Sequence, residues 1–345
     1  MNTTSMSPSL SESWLSFRKA YPKIRIRDAA VTMGTTEAEI LASFAGSRII
    51  RLNDQFTELW KRMPELGYVM VLTRNESCVH ERKGIFENIH INGEHVGYVA
   101  GEDIDLRMFF KHWAFGFAVF DDKEAGFKKS IQIFDHQGQA IVKVFLQEKS
   151  DHEAFERIIR SFQAPGQSTA LNIQPEKPQS AYADDQVDTK AFLEAWSRLK
   201  DTHDFYPMLR KFRVSRLHAL HIGGSFTRQV DNACTEKLLY DASASGMPIM
   251  AFVGNKGNVQ IHTGPVKNIV KIPGWINVMD PEFNLHLRTD HIAESWIVQK
   301  PNIDGGVHSL EMYDANGNLI LSFFGKRKPG IPELKEWTAY VKSLS

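Results

Sequence analysis

The chain nearly repeats itself, and that fixes what it can fold into. Ser130-Ile-Gln-Ile-Phe-Asp135-His-Gln-Gly138 matches Ser309-Leu-Glu-Met-Tyr-Asp314-Ala-Asn-Gly317 at a shift of 179 residues. The same shift pairs Ala114 with Ala293 and Phe117 with Trp296. A shift of 180 pairs Met70 with Met250, Asn75 with Asn255, Val79 with Val259 and Gly84 with Gly264, and a shift of 182 pairs Trp14 with Trp196 and Phe17 with Leu199. Ordered matches at a nearly constant offset mark a tandem duplication, one structural unit used twice. Residues 164–190 are poor in large apolar side chains and hold Pro165, Pro175 and Pro178. Such a segment buries too little surface to offset its ordering entropy. The expected organisation is an N-terminal unit over 1–163, a linker over 164–190 and a C-terminal unit over 191–345.

Each unit opens with helix signals and continues with strands. Asp188 and Thr189 can cap a helix start. Phe192, Trp196, Leu199, His203 and Tyr206 then follow at helical spacing and predict one apolar face, ended or kinked by Pro207. Strand patterns follow at Pro248–Val253, Gly257–Thr263, Trp275–Val278, Phe283–Leu287 and Ser309–Tyr313. Gly254-Asn-Lys-Gly257 and Asp314-Ala-Asn-Gly317 read as hairpin turns, where glycine tolerates positive φ. Strands outnumber helices and their links are short. The expected class is α+β, each half an antiparallel sheet flanked by helices on one side.

Charge narrows the function. Lys plus Arg and Asp plus Glu both number 41. That balance lacks the basic excess of a general nucleic-acid binder or a polybasic membrane anchor. Two cysteines, Cys78 and Cys234, make no disulfide framework and fit a reducing compartment. Met1 to Glu12 is polar, unlike a secretory signal, and no run approaches a bilayer span. A soluble cytoplasmic protein is expected. No Walker loop, dinucleotide fingerprint, nucleophile elbow or His-Glu-x-x-His helix occurs, so a kinase or hydrolase has no support.

His203 is the most informative single residue. It takes a place on an apolar face, and its partner at a shift of 182 is Tyr21. One reading is a core histidine bonded to a neighbour; the other is a metal or haem-iron ligand, with Phe205 and Tyr206 beside it to pack on a flat macrocycle. Arg210, Arg213 and Arg216, spaced by three, read either as one solvated helix face or as a clamp for ligand carboxylates. Lys300 and Lys326-Arg327-Lys328 are similar candidates. Arg107, beside Phe109 and Phe110, reads either as half of an internal ion pair or as a polar group inside an apolar pocket. His80, near Cys78, makes a poor zinc site, and His80, His90 and His95 read as surface or core histidines.

Several motifs together carry a family resemblance. Lys128-Lys-Ser-Ile-Gln-Ile-Phe-Asp-His-Gln-Gly138 with Val142-Lys-Val-Phe145, Val253-Gly-Asn-Lys-Gly-Asn-Val-Gln-Ile261, Gly274-Trp-Ile-Asn-Val278 and Asp201-Thr-His-Asp-Phe205 resemble the HemS/ChuS-type proteins. These are cytoplasmic haem-utilisation proteins of Gram-negative bacteria. The likeness runs from about Trp14 to the C-terminus.

The resemblance implies a duplicated α+β fold with haem (iron protoporphyrin IX) in a cleft between the halves. It implies His203 as axial iron ligand and Arg107 as distal catalytic arginine. Arg216, Lys300, Phe324 and Arg327 would bind haem, its propionates meeting Arg216, Lys300 and Arg327, and His80 would mark a second haem site. The family's axial motif reads Thr-Asp-Val-His-Gln-Phe-Phe; here it is Lys200-Asp-Thr-His-Asp-Phe-Tyr206, which keeps the ligand and adds Asp204. Three functions stay open. The first is a haem-degrading oxidoreductase that opens the ring and frees iron; no flavin or nicotinamide motif appears, so its electrons come from an external donor or from a cofactor bound without that motif. The second is a carrier that takes haem from an inner-membrane transporter to a separate haem oxygenase. The third is a binding module for another flat carboxylated ligand.

Overall fold

The computed structural model describes residues 8–175, 187–303, 305–327 and 330–344. Residues 8–175 run α1 (Leu10–Ala20), α2 (Ile26–Thr32), α3 (Glu37–Ala42), β1 (Ile49–Leu52), α4 (Phe56–Lys61), β2 (Gly67–Arg74), β3 (Cys78–Gly84), β4 (Ile89–Asn92), β5 (Val96–Ala100), β6 (Asp105–Phe109), β7 (Phe115–Val119), β8 (Ser130–Phe134), β9 (Ala140–Ser150) and α5 (His152–Phe162). From residue 187 the same order returns. It runs α6 (Thr189–Ser197), α7 (Phe205–Phe212), α8 (Arg216–His221), β10 (Thr227–Val230), α9 (Cys234–Ser245), β11 (Ile249–Gly254), β12 (Asn258–Gly264), β13 (Ile269–Ile272), β14 (Trp275–Met279), β15 (Phe283–Arg288), β16 (Glu294–Lys300), β17 (Val307–Tyr313), β18 (Leu319–Gly325) and α10 (Lys335–Ser343). Among the described residues, every helix and strand of the first half has a successor in the second.

The structure divides into two compact units, and each takes in a short segment of the other half of the chain. Unit 1 includes residues 255–259, and unit 2 includes residues 75–80. In unit 1, β1-β7-β8-β9-β2 are neighbours in one antiparallel set and β4, β5 and β6 in another. Unit 2 repeats this with β10-β16-β17-β18-β11 and with β13, β14 and β15. Each unit has two apolar cores. In unit 1, Trp14, Ala30, Ile40, Phe117 and Phe134 form one, while Trp60, Val71, Leu106, Ile133 and Phe155 form the other. Phe134 and Ile133 are adjacent on β8, so the cores lie on opposite faces of one sheet. Helices therefore cover both faces, not one as the sequence suggested. A sheet covered on both faces buries consecutive residues, and β8 is buried at all five positions, Ser130 and Gln132 included.

Paired asparagines close the equivalent turns. Asn75 Oδ1 accepts from the N–H groups of Ser77 and Cys78, and its Nδ2 donates to the carbonyls of Gly254 and Ile320. Asn255 repeats this with Gly257 and Asn258 and with the carbonyls of Arg74 and Ile141. The Gly254–Gly257 turn thus rests on an asparagine side chain, and neither glycine has positive φ. Gly257 is needed for close approach: a Cβ there would lie 2.6 Å from Ile141. The Asp314–Gly317 turn does use a left-handed glycine, Gly317 at φ 77°.

Two expectations change. The helix read from Asp188 to Tyr206 is two helices with a break. Asp201 and Asp204 cap a short 3-10 turn over Thr202–Asp204, and α7 begins after it. Short acidic side chains that bond nearby backbone N–H groups compete with helix continuation. Pro207 neither ends nor kinks α7; it sits in the first turn, where a missing N–H costs nothing. Of the expected linker, residues 164–175 are held on unit 1. Gln167 Oε1 accepts from the Arg51 N–H, Arg51 donates to the carbonyls of Ser168 and Ala170, and Leu171 packs on a core. Residues 176–186, with Pro178, lie outside the described residues, as does Lys328.

Candidate functional site

Unit 2 gathers most of the expected residues. The break between α6 and α7 places His203 on the surface, its side chain 91% exposed. It is neither a sealed core histidine nor part of an apolar helix face. Asp201 Oδ1 accepts from the His203 N–H at 2.8 Å and lies 2.6 Å from His203 Nδ1. The backbone N–H of His203, with the ring bond adding to it, holds the Asp201 carboxyl below its ordinary range. In the tautomer that donates Nδ1–H to Asp201, Nε2 keeps its lone pair, the carboxylate–histidine arrangement that suits a metal ligand.

Beside this turn lies a buried polar cluster. Ser215 caps α8 and makes Arg216 its first residue. Arg216 donates to Glu311 from Nε at 3.0 Å and from a terminal nitrogen at 2.8 Å. It also donates to the hydroxyls of Tyr313 at 2.9 Å and Tyr206 at 2.7 Å. Lys300 Nζ donates to Glu311 at 2.9 Å and stands 4.8 Å from the Phe205 ring centre and 6.0 Å from that of Phe324. Ser309 and Tyr313 hydroxyls donate to the same carboxylate. Burial disfavours charge on all three ionic groups. For Arg216 and Glu311 the opposite charges prevail, raising the first and holding the second well below the carboxylate range. Lys300 ends lower than an ordinary lysine, because burial outweighs Glu311 and Arg216 repels it.

The other candidates are placed as follows. Arg210, Arg213 and Arg216 do not share a helix face: Arg213 is the left-handed cap of α7 at φ 54°, and α8 starts afresh at Arg216. Phe324 is half-buried and packs 4.8 Å from Phe252. Arg327 is half-buried and Lys326 exposed. In unit 1, Arg107 on β6 pairs with Asp105, donates to the Leu106 carbonyl, lies 5.8 Å from the Tyr98 ring centre and is 41% exposed. It is thus an ion-paired arginine at a partly open face. His80 is fully buried in unit 2, its ring centre 5.0 Å from that of Phe283, which also stacks on His262 at 3.7 Å. His90 is exposed and stacks on Tyr98 at 4.7 Å; His95 is exposed. Cys78 and Cys234 are buried in one core. Among the described residues, no group of three His, Cys, Asp or Glu side chains converges as for a metal ion, and no helix is long and apolar enough to cross a membrane.

Glu311 and the Tyr206 hydroxyl were missed in the sequence. Glu311 sits between Leu310 and Met312, so it reads as an outward-facing strand residue. The signal was its neighbours: Ser309, Glu311 and Tyr313 alternate as three polar groups on one face of a fully buried strand.

Comparison with known proteins agrees with this architecture. The model of the haemin-degrading HemS.ChuX domain matches twice, at residues 34–162 and 213–344, with starts separated by the shift read from the sequence. The hemin transport protein HmuS of Yersinia pestis is 36% identical over 341 residues, covering 98% of each chain. The holo form of PhuS, a heme-binding protein from Pseudomonas aeruginosa, superposes with a TM-score of 0.95 at 43% identity over 99% of each chain. The heme degrading enzyme ChuS of Escherichia coli O157:H7 gives 0.89 at 31% identity over 97% of this chain and 98% of that one. With the domain model matched in both halves and near-full-length relatives at this identity, the chain belongs to the HemS/ChuX family.

Proposed function

We propose that this chain binds ferric haem as its cargo through His203 Nε2 and degrades it to release iron. The observation that carries the reading is the exposed His203 ring, oriented through Nδ1 by Asp201. A neutral, positioned imidazole is the donor that haem iron takes, and a carboxylate partner raises its basicity. The neighbouring cationic cluster of Arg216 and Lys300 suits propionates, with Phe324 and Arg327 as further binding residues. Arg107 is the proposed distal group, and its ion pair with Asp105 would hold the guanidinium in one orientation. Electrons would come from an external donor. His80 is kept as a candidate for a second site, although a ligand there needs that buried ring to move. The proposed location is the cytoplasm.

The carrier reading has its own support. A ligand histidine exposed on a short 3-10 turn can be approached by an acceptor, and a relative 36% identical is named a hemin transport protein. In that reading haem arrives from an inner-membrane transporter and leaves for a haem oxygenase.

One experiment addresses both. Purified protein is titrated with hemin and the visible spectrum recorded; ascorbate or reduced nicotinamide is then added under air. Loss of the Soret band with chelatable iron supports degradation. A stable band that moves to an apo haem oxygenase supports the carrier. His203→Ala should lose most of the binding, and unchanged affinity overturns the axial role. Arg107→Ala should slow turnover at retained affinity, and full turnover removes it from the mechanism.

A further inference from the structure

We infer that the Tyr206 hydroxyl is the group through which this site meets a carboxylate of its ligand, relaying the charge of the buried Arg216. The inference rests on the haem reading above and names a contact that reading leaves open. The cations first expected to touch propionates are turned inward. Arg216 is 16% exposed and Lys300 6%, and both donate to Glu311, which has no exposed surface. Tyr206, by contrast, is 56% exposed.

The bond between them has a direction. Arg216 is always a donor, so at 2.7 Å the Tyr206 oxygen accepts. The phenolic proton is then available to an acceptor from solvent. A carboxylate there completes a chain from Glu311 through Arg216 and the neutral Tyr206 hydroxyl to the ligand, with the cation between two anions. Hydrogen bonds in such a chain polarise one another, so the phenol becomes a stronger donor. Charge count agrees: with both bases protonated, Arg216 and Lys300 face a single carboxylate, leaving one positive charge for one incoming carboxylate. The guanidinium lies 5.4 Å from the Tyr206 ring centre, so it also fixes the ring.

Position agrees as well. Tyr206 follows His203 by three residues, which keeps the two Cα atoms within about 11 Å. One flat ligand can reach both.

The test uses hemin and hemin dimethyl ester, which keeps iron but has no free carboxylate, with wild type and Tyr206→Phe. The phenylalanine keeps the ring over Arg216, and a melting curve checks the fold. A hydrogen bond to a charged group is worth roughly 1.5–3 kcal/mol, so Tyr206→Phe should weaken hemin binding about tenfold or more. Binding of the dimethyl ester should be unchanged, and the His203-dependent spectrum should be kept with both ligands. Hemin affinity that is unchanged or higher overturns the inference, as does an equal loss for both ligands. Wild type that shows no His203-dependent binding of either ligand overturns the haem reading instead, and the inference with it.

Discussion

The same helix start in the two units carries opposite charge. At the 179-residue shift, Thr36 and Ser215 are the caps, and Glu37 and Arg216 are the first residues of α3 and α8. On the strands beneath, Gln132 corresponds to Glu311 and Lys143 to Ser322. Each is the cross-strand partner of the other: Gln132 faces Lys143 in unit 1, and Glu311 faces Ser322 in unit 2. Unit 1 closes its pair between Glu37 and Lys143, both under 10% exposed. Unit 2 closes its own between Arg216 and Glu311. Duplication kept the place of a buried charge while its sign changed, with the complement moving one strand over. The surroundings differ too. Lys143 is lowered by burial against the pull of Glu37, and burial with repulsion from Arg27 pushes Arg74 down to about 10. In unit 2 the bonds run on from Arg216 to the exposed hydroxyl of Tyr206. A shared frame thus holds a buried ion pair in one unit and a cluster that reaches an exposed hydroxyl in the other.

The largest effect should come from breaking the unit 2 cluster at its centre. Glu311→Ala leaves two buried cations without their carboxylate, and removing one partner of a buried pair costs about 3–5 kcal/mol. Replacing both partners in unit 1, as Glu37→Gln with Lys143→Met, should cost less, because Lys143 is not left charged without its carboxylate and Arg27 and Arg74 lose only the longer-range attraction of Glu37. Urea unfolding of the full chain compares them. Equal losses would mean that the two clusters play the same structural part.

Acid should separate the clusters more gently. In the folded protein the Glu311 carboxyl is buried, yet Arg216 and Lys300 hold it well below its unfolded value. Its stabilising contribution is therefore complete above the ordinary carboxylate range and is lost as pH falls below that range towards the lower folded value. Glu311→Gln removes this titration, so its stability should fall less steeply than wild type below about pH 4.3, the unperturbed glutamate value. Parallel acid limbs would show that Glu311 is not the group whose protonation weakens unit 2.

Much of this was open to reading in the residues. The duplication showed because Ser130–Gly138 and Ser309–Gly317 sit on buried strands and tight turns, where packing and φ restrict the choice of side chain. The break before His203 did not show, because Leu199, His203 and Tyr206 keep helical spacing across it. The competing signal was Asp201 and Asp204, two short acceptors that bond the backbone N–H groups of His203 and Asp201. Glu311 stayed hidden for the opposite reason: a polar residue between apolar ones reads as solvent-facing until a helix is known to cover that face. The exchange of residues 75–80 and 255–259 has no local signature at all. It depends on which strand each turn meets, and Asn75 and Asn255 read only as turn residues.

The smallest difference lies in the two caps, and it separates inherited frame from altered detail. Thr36 Oγ1 accepts from the Glu39 N–H at 3.1 Å, and Glu39 Oε2 accepts in return from the Thr36 N–H at 2.9 Å. Ser215 Oγ accepts from the His218 N–H at 3.2 Å, but His218 stands where Glu39 does and returns no carboxylate. Loss of a capping side chain costs roughly 0.5–2 kcal/mol, and the reciprocal box satisfies two backbone donors instead of one. Thr36→Ala should therefore sit near the upper end of that range and Ser215→Ala near the lower, read as shifts in the urea midpoint at constant slope. A larger loss for Ser215→Ala would mean that the cap matters chiefly by presenting Arg216 to Glu311. The start of α8 would then owe its stability to the cluster beneath it more than to its own cap.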